Sequence, residues 1–232
     1  MKKIITGGKF LLSGIKMLRK LLLILLAMIS LAACTEKDQN TKEEVPVLEA
    51  EANHIVFHYG LDSMVRKDLE YFDRELVIEP VFYEGNGIER GDVVFFSTPD
   101  HEIYESFDAP SSAEYDISRV IALEGEKIRI KEGQIYINDR RLDTFYGKLL
   151  IYGYEMNDYF LIKAPDGSPV CDPECRATVE EYLKRNMDEI EIPEGHVFVL
   201  SDNSVRDIGS LIWGPLSIEN IEGKVLGYKE GQ

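Results

Sequence analysis

Residues 127–131 (Lys-Ile-Arg-Ile-Lys) and 134–138 (Gln-Ile-Tyr-Ile-Asn) alternate apolar and polar positions on either side of Glu132-Gly133. Period two sends the isoleucines to one face of an extended chain, and the glycine closes a tight turn, so the pair predicts a β-hairpin. The stretches 52–59, 76–83, 93–96, 116–123, 197–200 and 223–228 are also short and apolar or alternating, and Arg90-Gly91-Asp92 turns into the third of them. Short strands separated by glycine-centred turns predict a mainly β barrel or sandwich. The pattern breaks over 143–192. That stretch holds Tyr146, Tyr152, Tyr154, Tyr159, Cys171 and Cys175, and a helical segment at 177–187 that puts Val179, Tyr182, Leu183 and Met187 on one face. It reads as an inserted cap subdomain containing a short helix, set between two parts of a β core, 52–142 and 193–232.

At the N-terminus the pattern changes character. Lys2, Lys3, Lys9, Lys16, Arg19 and Lys20 flank or precede an uninterrupted run of apolar and small residues over 21–33. A helix of that run covers about 20 Å, short of the roughly 30 Å hydrocarbon core, so 1–33 reads as a signal peptide rather than a stable span. Leu31-Ala32-Ala33-Cys34 resembles the lipobox of bacterial lipoproteins, which implies lipidation of Cys34 as the mature first residue; an ordinary signal peptide followed by a chance cysteine is the alternative. Met17 offers a second start, since Met17-Leu18-Arg19-Lys20 and the run after it make a complete signal. Residues 34–51 are polar and acidic and read as a tether. A flexible chain of that length reaches roughly 20–25 Å. The expected location is the extracytoplasmic face of a bacterial cell membrane, lipid-anchored through Cys34.

The 232 residues carry 26 Lys+Arg against 42 Asp+Glu, a formal net charge of −16, and loss of the six basic residues of 1–33 lowers it to −22. Phosphate binding needs a basic face, so no nucleic-acid partner is expected. No glycine loop of the phosphate-cradling kind is present, so no nucleotide is expected either. Outside the cytoplasm, Cys171 and Cys175 read as a disulfide, with free thiols or a metal as alternatives. His54 and His58 share a face of a predicted strand but lack further ligands, and His101 and His196 stand in loop contexts, so no metal or other cofactor is expected.

Three segments stand out in chain order. They are Gly91-Asp92-Val93-Val94, then Ile117-Ser118-Arg119-Val120-Ile121-Ala122-Leu123-Glu124-Gly125-Glu126, then Ser201-Asp202-Asn203 followed by Ser210 and Trp213-Gly214-Pro215. Together they resemble the type I signal peptidase family, whose boxes read G-D-x-V, K-R-V-I-G-L-P-G-D and G-D-N-R-x-x-S-x-D-S-R-x-W-G. The hairpin and Ile221-Glu222-Gly223-Lys224-Val225 fit as well, so the resemblance covers 53–228, with the middle insertion unmatched in detail.

The resemblance implies a largely β extracytoplasmic serine endopeptidase that removes signal peptides, its partner an exported precursor or other extended peptide. It also implies a serine–lysine dyad, in which a neutral, desolvated Lys takes the proton of a Ser hydroxyl that attacks the scissile carbonyl. Ser63-Met64 is similar to the start of the family's S-M-x-P-T motif, with Val65-Arg66-Lys67 in place of the rest. Ser63 is therefore the candidate nucleophile and Met64 part of its scaffold. The family's Lys precedes the Arg of R-V-I, and Ser118 occupies that position. A hydroxyl is no base near neutral pH, and Arg119 stays protonated. Asp207 stands where the family has a supporting Ser, and Gly209 and Leu211 where it has an ion-paired Asp and Arg. Arg119, Asp202, Asn203, Ser210 and Gly214 match as scaffold.

Three functions stay open on the sequence. One is a catalytically inactive relative that still binds an extended peptide by strand addition. Another is a working peptidase with a substituted base, for which Asp207 and Lys67 are candidates. The last is a structural lipoprotein on the same scaffold.

Overall fold

The computed structural model describes residues 44–100 and 114–231. Cys34, the signal segment and His101 lie outside the described residues. Strands dominate, and they form two sheets. The larger runs β11-β10-β5-β4-β12-β3-β2, with β1 paired to β12. Its members are β1 (Val47–Leu48), β2 (Ile55–Tyr59), β3 (Arg74–Glu79), β4 (Val93–Ser97), β5 (Tyr115–Ala122), β10 (His196–Leu200), β11 (Leu216–Ser217) and β12 (Ile221–Lys229). The smaller runs β8-β7-β6-β9. It contains β6 (Lys127–Lys131), β7 (Gln134–Ile137), β8 (Arg140–Arg141) and β9 (Met187–Glu191).

β5 organises the larger sheet. It lies between β4 and β10, and every residue from Asp116 to Ala122 is buried. One side of the sheet packs Ile117 with Tyr59, Met64 and Phe95. The other packs Val120 with Val94, Phe96 and Val199. A strand covered on both faces reads as a continuous apolar run. Asp116, Ser118 and Arg119 interrupt that run, and they mark where the strand carries more than packing.

A third cluster lies under the smaller sheet, where Ile128, Ile130, Ile135 and Ile137 meet Val179 and Leu183 of a helix. That helix spans Pro173–Leu183 rather than 177–187. Asp172 caps it, its carboxylate accepting from Cys175 N at 2.8 Å, and Pro173 fits the first turn, where its missing N–H costs nothing. The cap signal fixes the start one turn earlier than the apolar spacing suggests. Met187 then opens β9 and pairs opposite Ile130. The hairpin therefore shares its sheet with a strand from the 143–192 stretch, and the division expected at 142/143 falls inside that sheet. The same helix start brings the Sγ atoms of Cys171 and Cys175 to 2.01 Å.

Part of the expected tether is also structured. Val47 and Leu48 pair in parallel with Tyr228 and Lys229, and Val45 packs against the Tyr59 cluster. The acidic surroundings hid this short apolar group.

Gly133 joins the sheets' hairpin to the helix end. Its φ is +74°, and a Cβ there would lie 2.0 Å from Leu183 O. A side chain would meet both left-handed strain and a backbone clash. We expect Gly133→Ala to lower unfolding free energy by at least about 1–3 kcal/mol, read as a shifted urea midpoint.

Candidate active site

The site is assembled from β2, the turn after it, β5 and the segment after β10. Its rigid floor is an ion pair. Arg119 is fully buried, and its Nε and Nη2 donate to the two oxygens of Asp202, each at 2.8 Å. Its Nη1 donates to Gly91 O at 2.7 Å. A bidentate guanidinium–carboxylate pair fixes distance and orientation together. The ring of Phe145 covers the cation at 4.9 Å, and Arg66 approaches the same Asp202 at 3.6 Å. The matching Gly91, Arg119 and Asp202 thus form one connected unit.

Asp202 and Asn203 in turn hold the Ser63 turn. Asn203 N donates to Ser63 O at 2.8 Å and its Nδ2 to Asp62 O at 3.0 Å. Asp202 N meets the Sδ of the buried Met64 at 3.4 Å. Ser210 closes the other end, its Oγ accepting from Val199 N at 2.9 Å. Gly214 follows the short helix Ser210–Trp213 with φ +89°, a conformation that favours glycine. Met64, Asp202 and Asn203 therefore meet at the Ser63 turn and Arg119 joins them through Asp202, whereas Ser210 bonds Val199 and Gly214 ends the short helix after it.

The polar chain at Ser63 includes two residues that the sequence reading did not single out. Ser63 Oγ is hydrogen-bonded to Tyr59 Oη, and Tyr59 Oη donates to Asp116 Oδ1 at 3.0 Å. A tyrosine hydroxyl has one proton, so with that proton on Asp116 the Ser63 hydroxyl is the donor to Tyr59. Asp116 Oδ1 also accepts from Ile117 N at 2.7 Å. Tyr59 and Asp116 are buried, and Ser63 is only 6% exposed. A signal was available, since Asp116 is the one carboxylate in a strand buried from 116 to 122, and Tyr59 ends the strand before Ser63.

Ser118 is fully buried, and its Oγ has no hydrogen-bond partner. Asp207 is half-buried. Its Oδ1 accepts from Ser201 N at 2.6 Å, while its Oδ2 is buried without a partner. A Cβ on Gly209 would lie 2.7 Å from Asp207 Oδ1. The Asp207 carboxylate therefore fills the space that a side chain at 209 would enter. Lys67 is exposed and its ammonium lies 4.3 Å from the Tyr154 ring centre. Leu211 packs against the third apolar cluster. Of the tyrosines in the middle stretch, Tyr152 donates to Asp62 Oδ2 at 3.2 Å and Tyr146 lies under Arg119. No group of three or more metal-ligating side chains occurs among the described residues.

Electrostatics distinguish the two carboxyls. Burial raises Asp116 to about 7, with the nearby Asp207 charge adding to the rise and the Ile117 and Tyr59 hydrogen bonds opposing it. Burial raises Asp207 to about 6 against the bond from Ser201. Burial and Asp116 hold the Tyr59 phenol well above its ordinary range.

One edge of β5 is open at this site. Val120 N donates to Asp92 O, which turns the even-numbered residues of β5 toward β4. β10 pairs with β5 only from Arg119 to Ala122. From Tyr115 to Ile117 the opposite edge therefore has no strand partner among the described residues.

Two measurements test this arrangement. Asp202→Ala leaves the Arg119 cation buried without its carboxylate, and should cost about 3–5 kcal/mol in urea unfolding. For pH, both acids hold their proton more tightly when folded than the ordinary carboxyl value of 3.8. The stability this proton uptake gives is fully present below about pH 4 and is lost as pH rises through about 6 and 7. Asp207→Asn should therefore flatten the stability–pH curve between about pH 4 and 6, measured as urea midpoints.

A family model described as signal peptidase, peptidase S26, matches residues 22–228. Signal peptidase I V of Bacillus subtilis is 27% identical over 173 residues, covering 75% of this chain and 85% of that protein. Thylakoidal processing peptidase 1 of Arabidopsis thaliana is 27% identical over 149 residues, covering 64% of this chain but only 34% of that longer protein. The crystal structure of a signal peptidase I from Enterococcus faecalis V583 overlaps 60% of this chain and 97% of that chain, at 18% identity and a TM-score of 0.37.

Proposed function

The chain belongs to the signal peptidase family, peptidase S26, and from that membership we propose that it is a membrane-held extracytoplasmic serine endopeptidase acting on exported precursors, with Ser63 as its nucleophile. The observation that carries this reading is the hold on Ser63. Asn203, from the other end of the chain, bonds both Ser63 O and Asp62 O, and Tyr59 bonds the Ser63 hydroxyl. A nucleophile needs such fixed placement, because orientation supplies much of the rate gain. The unpaired edge of β5, on which Ile117 N is already held by Asp116 Oδ1, offers an extended peptide part of a strand to pair with, two hydrogen bonds from Ser63.

The compartment follows from the N-terminus and the cysteines. The Leu31-Ala32-Ala33-Cys34 sequence supports a lipid anchor at Cys34, and the close Cys171–Cys175 pair supports an oxidising location. The family match begins at residue 22, inside the apolar run. A run kept as an anchor and one removed before Cys34 both hold the domain at a membrane. The mass of the N-terminal peptide from membrane-extracted protein distinguishes them, with a diacylglyceryl-modified Cys34 expected.

A second reading has one observation in its favour. The fully buried Ser118 occupies the position of the family's Lys and offers no base. On that reading the scaffold binds a peptide without cutting it.

The deciding experiment is cleavage of a purified precursor carrying a signal peptide, by the full chain and by its Ser63→Ala variant in detergent–lipid micelles. A family member serves as the positive control. Cleavage that falls about 10³-fold or more in the variant is expected. Equal cleavage by both removes Ser63 from the reaction. Absence of cleavage by the full chain, with the control active, favours the peptide-binding reading.

A further inference from the structure

We propose that Tyr59 and Asp116 replace the family's lysine as the proton path of Ser63, with Tyr59 relaying the hydroxyl proton to the Asp116 carboxylate. This rests on the peptidase reading above and assigns its missing base.

The geometry supplies a continuous path. Ser63 Oγ, Tyr59 Oη and Asp116 Oδ1 are joined by two hydrogen bonds, and the single Tyr59 proton already points at Asp116. In the attack, Ser63 Oγ bonds to the scissile carbonyl carbon. Its proton passes to Tyr59 Oη as the Tyr59 proton passes to Asp116. Tyrosine is thus neutral before and after, and no phenolate forms. Collapse of the tetrahedral adduct breaks the C–N bond, and the proton held by Asp116 returns through Tyr59 to the departing amine. Water then attacks the Ser63 ester, losing its proton along the same path. Protonated Asp116 gives that proton back to Ser63 as the carboxylic product leaves.

The alternatives are weaker. Ser118 has no basic atom, Arg119 is committed to Asp202 and Gly91, and the Lys67 ammonium lies over Tyr154 at the surface. Asp207 has one oxygen on Ser201 N and no bond to Ser63. Its effect on the path is electrostatic, since its charge opposes ionisation of Asp116. The titratable groups facing the path are Tyr59 from β2, Asp62 from the turn after it, and Asp207 from the segment after β10. With Asp116 raised to about 7, the acceptor is matched to neutral operation, where a carboxyl at its ordinary value is too weak a base.

The test uses the full chain, the same precursor and three variants: Tyr59→Phe, Asp116→Asn and Ser63→Ala. Tyr59→Phe removes only the hydroxyl, so it reads the relay even if Asp116→Asn folds poorly. The expected result is a loss of about 10²–10⁴-fold in kcat for each relay variant, with KM little changed. The wild-type kcat/KM should rise with pH through about 7. That limb should be absent from the residual activity of Asp116→Asn. Retention of activity within about threefold in Tyr59→Phe, while Ser63→Ala is inactive, overturns the relay and leaves the peptidase reading standing. Loss of activity with the pH limb unmoved in Asp116→Asn also overturns it, because a merely structural carboxylate would behave that way. Absence of cleavage by the wild-type chain beside an active control sinks both.

Discussion

Arg119 and Asp202 stand 83 residues apart and meet as a fully buried, bidentate ion pair. Two charges removed from water are costly unless each finds the other with good geometry and its remaining hydrogen-bonding groups are satisfied. Gly91 O takes the third guanidinium bond, and the Phe145 ring covers the face. That requirement ties together β5, the turn before β4 and the segment after β10. It also locates Ser63, because Asp202 and Asn203 hold the Ser63 turn through Met64 Sδ and two backbone carbonyls. Chain topology around the site thus follows from one electrostatic constraint, and the apolar clusters on both faces of the sheet supply the dry surroundings that make it strict.

The same burial that sharpens the ion pair changes the chemistry of the neighbouring acids. Asp116 and Asp207 sit where ionisation is opposed by lost hydration, and the Asp207 charge opposes it further at Asp116. The absent side chain of Gly209 leaves room for the Asp207 carboxylate. The Ser118 hydroxyl is buried without a hydrogen-bond partner. The polar interior of the site holds one buried and one half-buried carboxyl, with Tyr59 joining Asp116 to Ser63.

Much of this was legible in advance because local rules and packing agree. The hairpin at 127–137 follows its alternation and its glycine turn, and β5, β10 and β12 follow their apolar runs. The helix was displaced because the Asp172-Pro173 cap outweighed the spacing of Val179, Leu183 and Met187, and Met187 gained more by pairing in a sheet. The strand at Val47–Leu48 was hidden because two residues carry no period. Among the candidate site residues, Arg119, Asp202, Asn203 and Ser210 were marked by motif spacing and Ser63 by the Ser63-Met64 pair alone, whereas Tyr59 and Asp116 belong to no motif.

The sequence by itself determined a mainly β chain of acidic character, its family boxes, and a serine at position 118. Each of these is set by residue identity and by neighbours close in the chain. Only the tertiary structure decided what stands beside the Ser63 hydroxyl. Tyr59 reaches it from the preceding strand, and Asp116 reaches Tyr59 across 57 residues of sequence. Hydrogen bonds and burial of that kind depend on which surfaces meet, and the same burial raises Asp116 to about 7. A carboxyl in an extended chain has no such property, so its place in the chemistry exists only once the sheet has closed around it.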